Sequence, residues 1–195
     1  MIYLASTSPR RKELLKKAGI RFRILQPAYE EDNGLKAPPS QIVKIHARKK
    51  AESCVRQIKD GIILGADTIV YLRGVIIGKP RNMKEACSIL GRLQGRWHAV
   101  YTGVALLEIK AGRIERKTLL FEKSRVKIKK LSALDIRNYF KKVNPLDKAG
   151  AYAVQSPHGG IIEAVQGSFS NVIGLPIEAV RIAARSGTQT LPKGE

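Results

Sequence analysis

Cysteine, histidine and long apolar runs are all scarce in this chain of 195 residues. It has two cysteines, Cys54 and Cys87, far apart and without a CxxC partner, and three histidines, so we expect neither a zinc knuckle nor a disulfide framework. No apolar run approaches the roughly 18 residues of a membrane span. Polar and basic residues follow Met1–Ala5 too soon for a signal peptide. These absences predict a protein of the reducing cytosol, with no membrane partner.

The chain also lacks the motifs of several large enzyme classes. A Walker A loop, a GxSxG elbow, a dinucleotide-binding glycine fingerprint and the kinase motif set are all missing from the sequence. No internal repeat is present, and 44% of the residues are hydrophobic, enough to build a core. We expect a single domain over residues 1–186, followed by a loose tail over residues 187–195.

Positive charge is the main excess, with a formal net charge of +20. This charge favours an anionic partner, and nucleic acid is possible but not required. An equally good interpretation is a heat-adapted surface rich in lysine and arginine. Aromatic residues make up 6% of the chain, and its basic stretches lack the interleaved Phe and Tyr that are typical of platforms for single strands.

The N-terminal segment reads as a strand, Ile2–Ala5, a turn over residues 6–8, and a helix with Pro9 in its first turn. Hydroxyls, free backbone N–H groups and two arginines, Arg10 and Arg11, converge at this helix N-terminus, which would suit an anion such as phosphate. The alternative is an ordinary Ser-Pro helix cap with solvated arginines. Arginines in the first turn oppose the helix dipole by about 0.5 kcal/mol unless an anion neutralises them.

Asp67 follows the apolar run over residues 62–66, where we expect a buried strand with this acid at its C-terminal end and a continuation of the strand through residues 68–72. Ligand crevices of open α/β sheets lie beyond such strand ends, so Asp67 suits a metal ligand or a general base. It could equally cap a turn. Glu30 and Glu31 add loop carboxylates that could join it around Mg²⁺, although loop acids are often only solvated.

Lys50, on a helix that Ser40 is expected to cap, and Lys79, on the turn between Gly78 and Pro80, could each place a point charge on a phosphate. His98 is expected to be a packing or hydrogen-bonding residue. The remaining patterns predict a hairpin at residues 73–74, a helix begun by Asn82, and a helix begun by Ser132. They also predict a two-stranded ribbon over Trp97–Ile109 and Ile114–Ile128, and a last helix from Pro176.

Four motifs in order strongly resemble the Maf family of nucleotide pyrophosphatases. They are Leu4–Leu15 (LASTSPRRKELL), Gly65–Thr68 (GADT), Gly78–Pro80 (GKP) and Asp147–Tyr152 (DKAGAY). The resemblance implies an α/β fold with a mixed, twisted sheet in two lobes around a central cleft, like the inosine triphosphate pyrophosphatases. It also implies Mg²⁺-dependent cleavage of a nucleoside triphosphate to a monophosphate and pyrophosphate, and a homodimer.

Residue by residue, the resemblance assigns substrate binding to positions in the four motifs and beside them: Ser6, Ser8, Arg10, Arg11, Lys50, Thr68, Lys79 and Gln155. It assigns metal binding to Glu31 and Asp67, and matches Asp67 to the family's proton acceptor; whether Asp67 is base or metal ligand stays open. The segment Ala153–Gln155 is similar to the branch that prefers dTTP and UTP, which extends to modified pyrimidine nucleotides. This chain departs from that pattern at Ala153 and at residues 156–158.

A second function class also fits the composition. The chain could be a nucleic-acid-binding or nucleotide-sensing regulatory protein that uses its +20 surface. Such binding would weaken steeply with salt, whereas hydrolysis in a confined cleft would depend on Asp67 and much less on salt.

Overall fold

A computed structural model describes residues 1–32, 34–154 and 160–186, within which seven strands form one mixed sheet. The strands are β1 (Ile2–Ala5), β2 (Phe22–Leu25), β3 (Gly61–Leu72), β4 (Val75–Ile77), β5 (Trp97–Lys110), β6 (Arg113–Ile128) and β7 (Ile162–Gln166). The helices are α1 (Pro9–Lys17), α2 (Pro39–Glu52), α3 (Met83–Leu93), α4 (Ala133–Lys142), α5 (Phe169–Ile173) and α6 (Ile177–Ser186). The predicted mixed α/β class is confirmed, whereas Gln155 and the expected tail lie outside the described residues.

The sheet order is β2-β1-β3-β5-β6-β7, with β4 pairing only with the end of β3. β1 runs parallel to both β2 and β3. β3, β5, β6 and β7 form an antiparallel series in which β5 and β6 are the long ribbon that the sequence predicts. The parallel unit at one edge therefore joins an antiparallel unit at β3, which is the strand of Asp67.

Several helix boundaries follow from local chemistry. Asn82 accepts a hydrogen bond from the Glu85 backbone N–H at the start of α3, and Ser132 begins α4, both as predicted. The prediction that Ser40 caps α2 is wrong, since the helix already includes Pro39 and its cap position is Pro38. Proline suits the first turn of a helix because its missing N–H has no partner there.

Helices cover both faces of the sheet. On one face, α2 packs on β3 and β5 through small residues and aliphatic side chains, among them Ala47, Ala51, Ile63, Ala105 and Leu107. On the other face, α1, α5 and α6 pack through Leu15, Leu64, Val104, Leu175 and Val180. A further cluster joins α3 and α4 to the far end of the ribbon through Leu90, Leu93, Val126, Ile128 and Phe140. Among the described helices, none is long and apolar enough to cross a membrane.

Candidate active site

A gap along one edge of β3 creates the main pocket. β1 pairs with residues 62–65 of β3 and β4 pairs with residues 70–72, while β5 occupies the opposite edge. Within the described chain, residues 66–69 therefore have no strand neighbour on the first edge. A pocket of about 1140 Å³ opens there. Because alternate side chains of a strand point to opposite faces, Asp67 and Thr68 reach this pocket from opposite sides of the sheet.

Asp67 lies inside β3, so its predicted position at a strand end is wrong, whereas the predicted continuation of the strand through residues 68–72 is confirmed. The strand continues because β5 pairs with it from Gly61 to Tyr71, whereas the parallel strand β1 stops at Ala5, opposite Gly65. The acid thus lies just beyond the C-terminal end of β1, where the predicted crevice opens. Its side chain is buried, with Oδ1 accepting a hydrogen bond from Lys50 and Oδ2 lacking a partner among the described residues.

Lys50 bridges the two carboxylates that the sequence singles out. Its Nζ lies 2.6 Å from Asp67 Oδ1 and 2.6 Å from Glu31 Oε1. The lysine is 9% exposed and Asp67 is buried, so their ion pair is shielded from water, whereas the Glu31 side chain is 38% exposed. Two carboxylates sharing one ammonium leave this corner of the pocket with a net negative charge, which a divalent cation would neutralise.

Two glycines allow α2 to bring Lys50 this close to the sheet. A Cβ at Gly65 would lie 2.2 Å from the Ala47 carbonyl oxygen, and a Cβ at Gly103 would lie 2.3 Å from the Val43 carbonyl oxygen. Gly103 pairs directly with Asp67 across β3 and β5. The backbone of α2 therefore rests on the two strands, with no side chain between them, next to the catalytic candidate.

The loop that carries Glu31 is attached to α2 at several points. The Tyr29 hydroxyl lies 2.8 Å from Nδ1 of the buried His46, and the Ala28 N–H donates to Ser53 Oγ at 3.1 Å. Partial burial raises the pKa of Glu31, but attraction to Lys50 and the hydrogen bond from it outweigh this effect, and the net shift is downward. Glu31 is therefore ionised at neutral pH.

The predicted anion turn lies at the mouth of the pocket. The first backbone hydrogen bond of α1 runs from the Lys12 N–H to the Ser8 carbonyl, so the N–H groups of Arg10 and Arg11 have no partner within the helix. Ser8 makes no side-chain cap, and the first turn has no acidic residue. Its positive dipole end is therefore not neutralised by the helix itself.

Arg11 is buried behind this turn, and each of its three guanidinium nitrogens donates a hydrogen bond. It donates to the Gly174 carbonyl at 2.8 Å, to Ser6 Oγ at 3.1 Å and to Thr68 Oγ1 at 3.1 Å. Burial lowers the pKa of Arg11, and the charges of Asp67 and Glu31 oppose that shift. Arg11 thus fixes α1 to β3 and supplies positive potential from beneath the pocket floor.

Arg10 points the other way, towards the loop after α4. It donates to Asp147 Oδ2 at 2.8 Å and to the Asp147 carbonyl at 3.0 Å. Lys148 contacts the other carboxylate oxygen of Asp147 at 2.5 Å and also lines the pocket. Hydrogen bonds from Lys148 and Arg10 outweigh partial burial and lower the pKa of Asp147. Lys79 completes the cationic lining and contributes to the lowered pKa of Glu31.

The sequence motifs do not single out every residue that builds this site. His46 precedes Lys50 by one helical turn, a spacing that could have suggested a shared face. Lys148 lies in the DKAGAY motif, but the sequence gives it no role of its own. No local sequence pattern indicates a role for Tyr29. His98 is buried with Nε2 2.7 Å from the Tyr152 hydroxyl, as expected for a packing residue, and burial lowers its pKa to about 4.

The carboxylate oxygens of this site suit a divalent cation that a bound substrate also coordinates. Asp67 Oδ2, buried and without a hydrogen bond, is an oxygen atom suited to Mg²⁺, and Glu31 adds a second carboxylate beside it. Among the described residues no group of three or more His, Cys, Asp or Glu side chains could hold a metal alone. Such a cation would thus need further oxygen ligands, as substrate phosphates and water supply.

The chain is similar to known proteins along most of its length. A dTTP/UTP pyrophosphatase of Pelotomaculum thermopropionicum is 40% identical over 90% of this chain and 91% of its own. One of Caldicellulosiruptor saccharolyticus is 41% identical over 100% and 98%. The solved Ham1 protein of Staphylococcus aureus shares the fold, with a TM-score of 0.53 at 13% identity over 96% of this chain and 99% of that one. A family model described as "Maf-like protein" matches residues 1–186, and the chain belongs to the Maf family.

Proposed function

We propose that this protein hydrolyses a nucleoside triphosphate to the monophosphate and pyrophosphate in the pocket at β3. Preferred substrates are dTTP and UTP, in keeping with the names of the relatives. Modified pyrimidine triphosphates are further substrates in this proposal. The observation that carries the proposal is Asp67, a buried carboxylate with one oxygen free, in a pocket lined by cations. A buried acid in such surroundings suits general-base or metal chemistry on an anionic substrate.

The triphosphate chain binds between α1 and the loops that face it. The free N–H groups at the start of α1, with the Ser6 and Ser8 hydroxyls, take phosphate oxygens. The half-buried Arg10 and the exposed Lys79 supply positive charges, and Arg11 adds its field from below. Arg10 can exchange its partly exposed pair with Asp147 for a phosphate at little cost. These cations stabilise the charge that develops on the phosphates during cleavage.

Asp67 and Glu31 would hold Mg²⁺ together with the substrate, and the ion would supply neutralisation of phosphate charge. Asp67 Oδ2 orients the attacking water or accepts its proton. The water oxygen forms a bond to the α-phosphorus while the bond to the bridging oxygen breaks, and pyrophosphate departs. Lys50 pairs with both carboxylates and holds them in place before the substrate arrives.

We further propose that the pocket is a cleft between two lobes of one domain spanning residues 1–186. Support comes from the separate hydrophobic clusters. Two of them surround α1, α2 and α6 in one lobe, and one surrounds α3 and α4 in the other. Strand β3 and the ribbon of β5 and β6 connect the two lobes. The family match also extends over residues 1–186.

The variant Asp67→Asn tests the proposal, because it keeps the shape of the side chain but removes its charge and basicity. We expect kcat with UTP and Mg²⁺ to fall about 10²- to 10⁴-fold, with pyrophosphate as the product of the wild type. Asp60→Asn is the matched control, since Asp60 accepts a hydrogen bond from the Ala111 N–H on the exposed surface. Wild-type turnover in Asp67→Asn, or inorganic phosphate as the primary product, would refute the proposal.

A further inference from the structure

The sheet face that carries α2 extends beyond the helix and displays aromatic rings from three strands. Tyr71 on β3, Tyr101 on β5 and Phe121 on β6 lie side by side there. Ring centroids are 6.2 Å apart for Tyr71 and Tyr101, and 6.5 Å apart for Tyr101 and Phe121. Phe121 is 45% exposed, and the two tyrosines are half-buried. Trp97 lies on the same face, two alternations along β5 from Tyr101.

Cations stand beside these rings. Lys123 Nζ lies 5.6 Å from the centre of the Tyr101 ring, and the Arg125 guanidinium lies 5.0 Å from that of Trp97. Lys44 Nζ on α2 lies 5.8 Å from the Phe121 ring. Across the described part of the chain, no salt bridge involves any of these three cations. Their charges are therefore free to meet an anion.

We propose that this aromatic-basic face is a binding site for single-stranded nucleic acid, separate from the nucleotide pocket. The face consists of Tyr71, Trp97, Tyr101 and Phe121 with Lys44, Lys123 and Arg125. Unpaired bases stack on aromatic rings, and the phosphates between them pair with nearby lysines and arginines. A sheet surface with rings on adjacent strands and cations around them provides both contacts at once.

A second copy of the chain fits this face less well. A two-fold interface places the same patch on both partners, so Lys123 and Arg125 of each copy would lie near the same cations of the other. Like charges brought together in this way are unfavourable, and each copy carries a net charge of +20. A polyanion gains from the same charges. A duplex keeps its bases stacked on each other and would not use the rings.

The direct test is binding of a fluorescein-labelled single-stranded oligonucleotide of about 12 residues to the full-length protein at about 50 mM salt. Two readouts are followed: fluorescence anisotropy and the emission of Trp97, the single tryptophan of the chain. We expect the label's anisotropy to rise and tryptophan emission to be quenched together. A rise in anisotropy without quenching would place binding elsewhere and overturn the proposal.

Variants of the aromatic residues distinguish base stacking from electrostatic attraction between the basic surface and the phosphates. Tyr101→Leu and Phe121→Leu keep apolar bulk but lose the ring, and each should weaken binding roughly 5- to 100-fold. The control is Phe169→Leu on α5, where Phe169 is 49% exposed but lies away from this face. Thermal unfolding of each variant verifies that the fold is intact. Equal weakening in all three variants, or equal affinity for a duplex, would overturn the proposal.

A charge variant adds an independent measurement. Lys123→Gln should reduce the slope of log affinity against log salt by about 0.7, whereas Lys16→Gln, at the exposed end of α1, should leave it unchanged. Sedimentation of the Phe121→Leu variant tests whether a second copy of the chain covers this face instead. If the Phe121→Leu variant has a different oligomeric state from the wild type but binds the oligonucleotide equally well, the face is an interface between copies of the chain. The proposal is then wrong.

Discussion

Replacing Gly65 by alanine inserts a methyl group where helix α2 rests on strand β3. The added Cβ would lie 2.2 Å from the Ala47 carbonyl oxygen and 2.9 Å from the Ala51 Cβ, whereas ordinary contacts begin near 3.4 Å. Because the first of these atoms is helix backbone, no side-chain rotation can relieve the overlap. The helix must move away from the sheet by about 1 Å.

That movement has two measurable consequences. Overpacking of this kind costs about 1–3 kcal/mol in the free energy of unfolding, which lowers Tm by about 2–12 °C for a protein of this size. Lys50 travels with α2 and loses its 2.6 Å contact with Asp67. A misplacement of about 1 Å in a site can reduce activity about 10²-fold, so we expect kcat/KM for UTP to fall by that order.

The matched control is Gly91→Ala. Gly91 lies within α3, and a Cβ there meets no atom within 4 Å. Alanine at such a position should stabilise the helix by about 0.5–1 kcal/mol and leave turnover unchanged. Calorimetry and pyrophosphate release are measured on both variants. Wild-type kcat/KM in Gly65→Ala would show that close contact of α2 with β3 does not position Lys50.

Three further predictions concern single residues. Burial lowers the pKa of His98 from 6.5 to about 4. Between these two pH values the unfolded state binds a proton at His98 that the native state does not bind, so the free energy of unfolding falls as the pH falls. His98→Gln should remove up to about 3 kcal/mol of this loss, measured by urea unfolding across pH. Arg11→Lys should cost about 2–4 kcal/mol in denaturant unfolding, since an ammonium cannot reach all the acceptors of the buried guanidinium. Gln155→Ala should compress the ratio of kcat/KM for UTP over CTP by about 10- to 100-fold, because its amide can pair with the uracil edge.

Each of these predictions has its own control and contrary result. If the free energy of unfolding of His98→Gln depends on pH as it does in the wild type, another group is responsible for that dependence. Arg10→Lys, which alters a partly exposed ion pair, should cost less than about 1 kcal/mol, and an equal cost in Arg11→Lys would contradict the role of burial. An unchanged UTP-to-CTP ratio in Gln155→Ala would move base recognition to Arg10, Thr68 or backbone groups.

Features that depend on neighbours in sequence were open to prediction. The hairpin at Arg73 and Gly74 has the positive φ angles, 47° and 88°, of a tight two-residue turn. The Asn82 and Ser132 caps follow from side chains that reach backbone N–H groups three residues on. The parallel register of β1 with β3 was not predictable, because it pairs segments that are far apart in the chain. The sequence predicted the strand through residues 68–72, but it placed Asp67 at an end and not inside β3.

The sequence by itself determined which chemical groups are available: a helix start that bears two arginines, an acid after an apolar run, lysines on a helix and a turn, and a large positive charge. These follow from residue type and short-range order. The tertiary structure decided which of these groups meet. It placed Lys50 between Glu31 and Asp67, buried Arg11 while leaving Arg10 half-buried, and aligned Tyr71, Tyr101 and Phe121 on one face. Strand register and the contact of α2 with the sheet set these distances, and both depend on residues far apart in the chain.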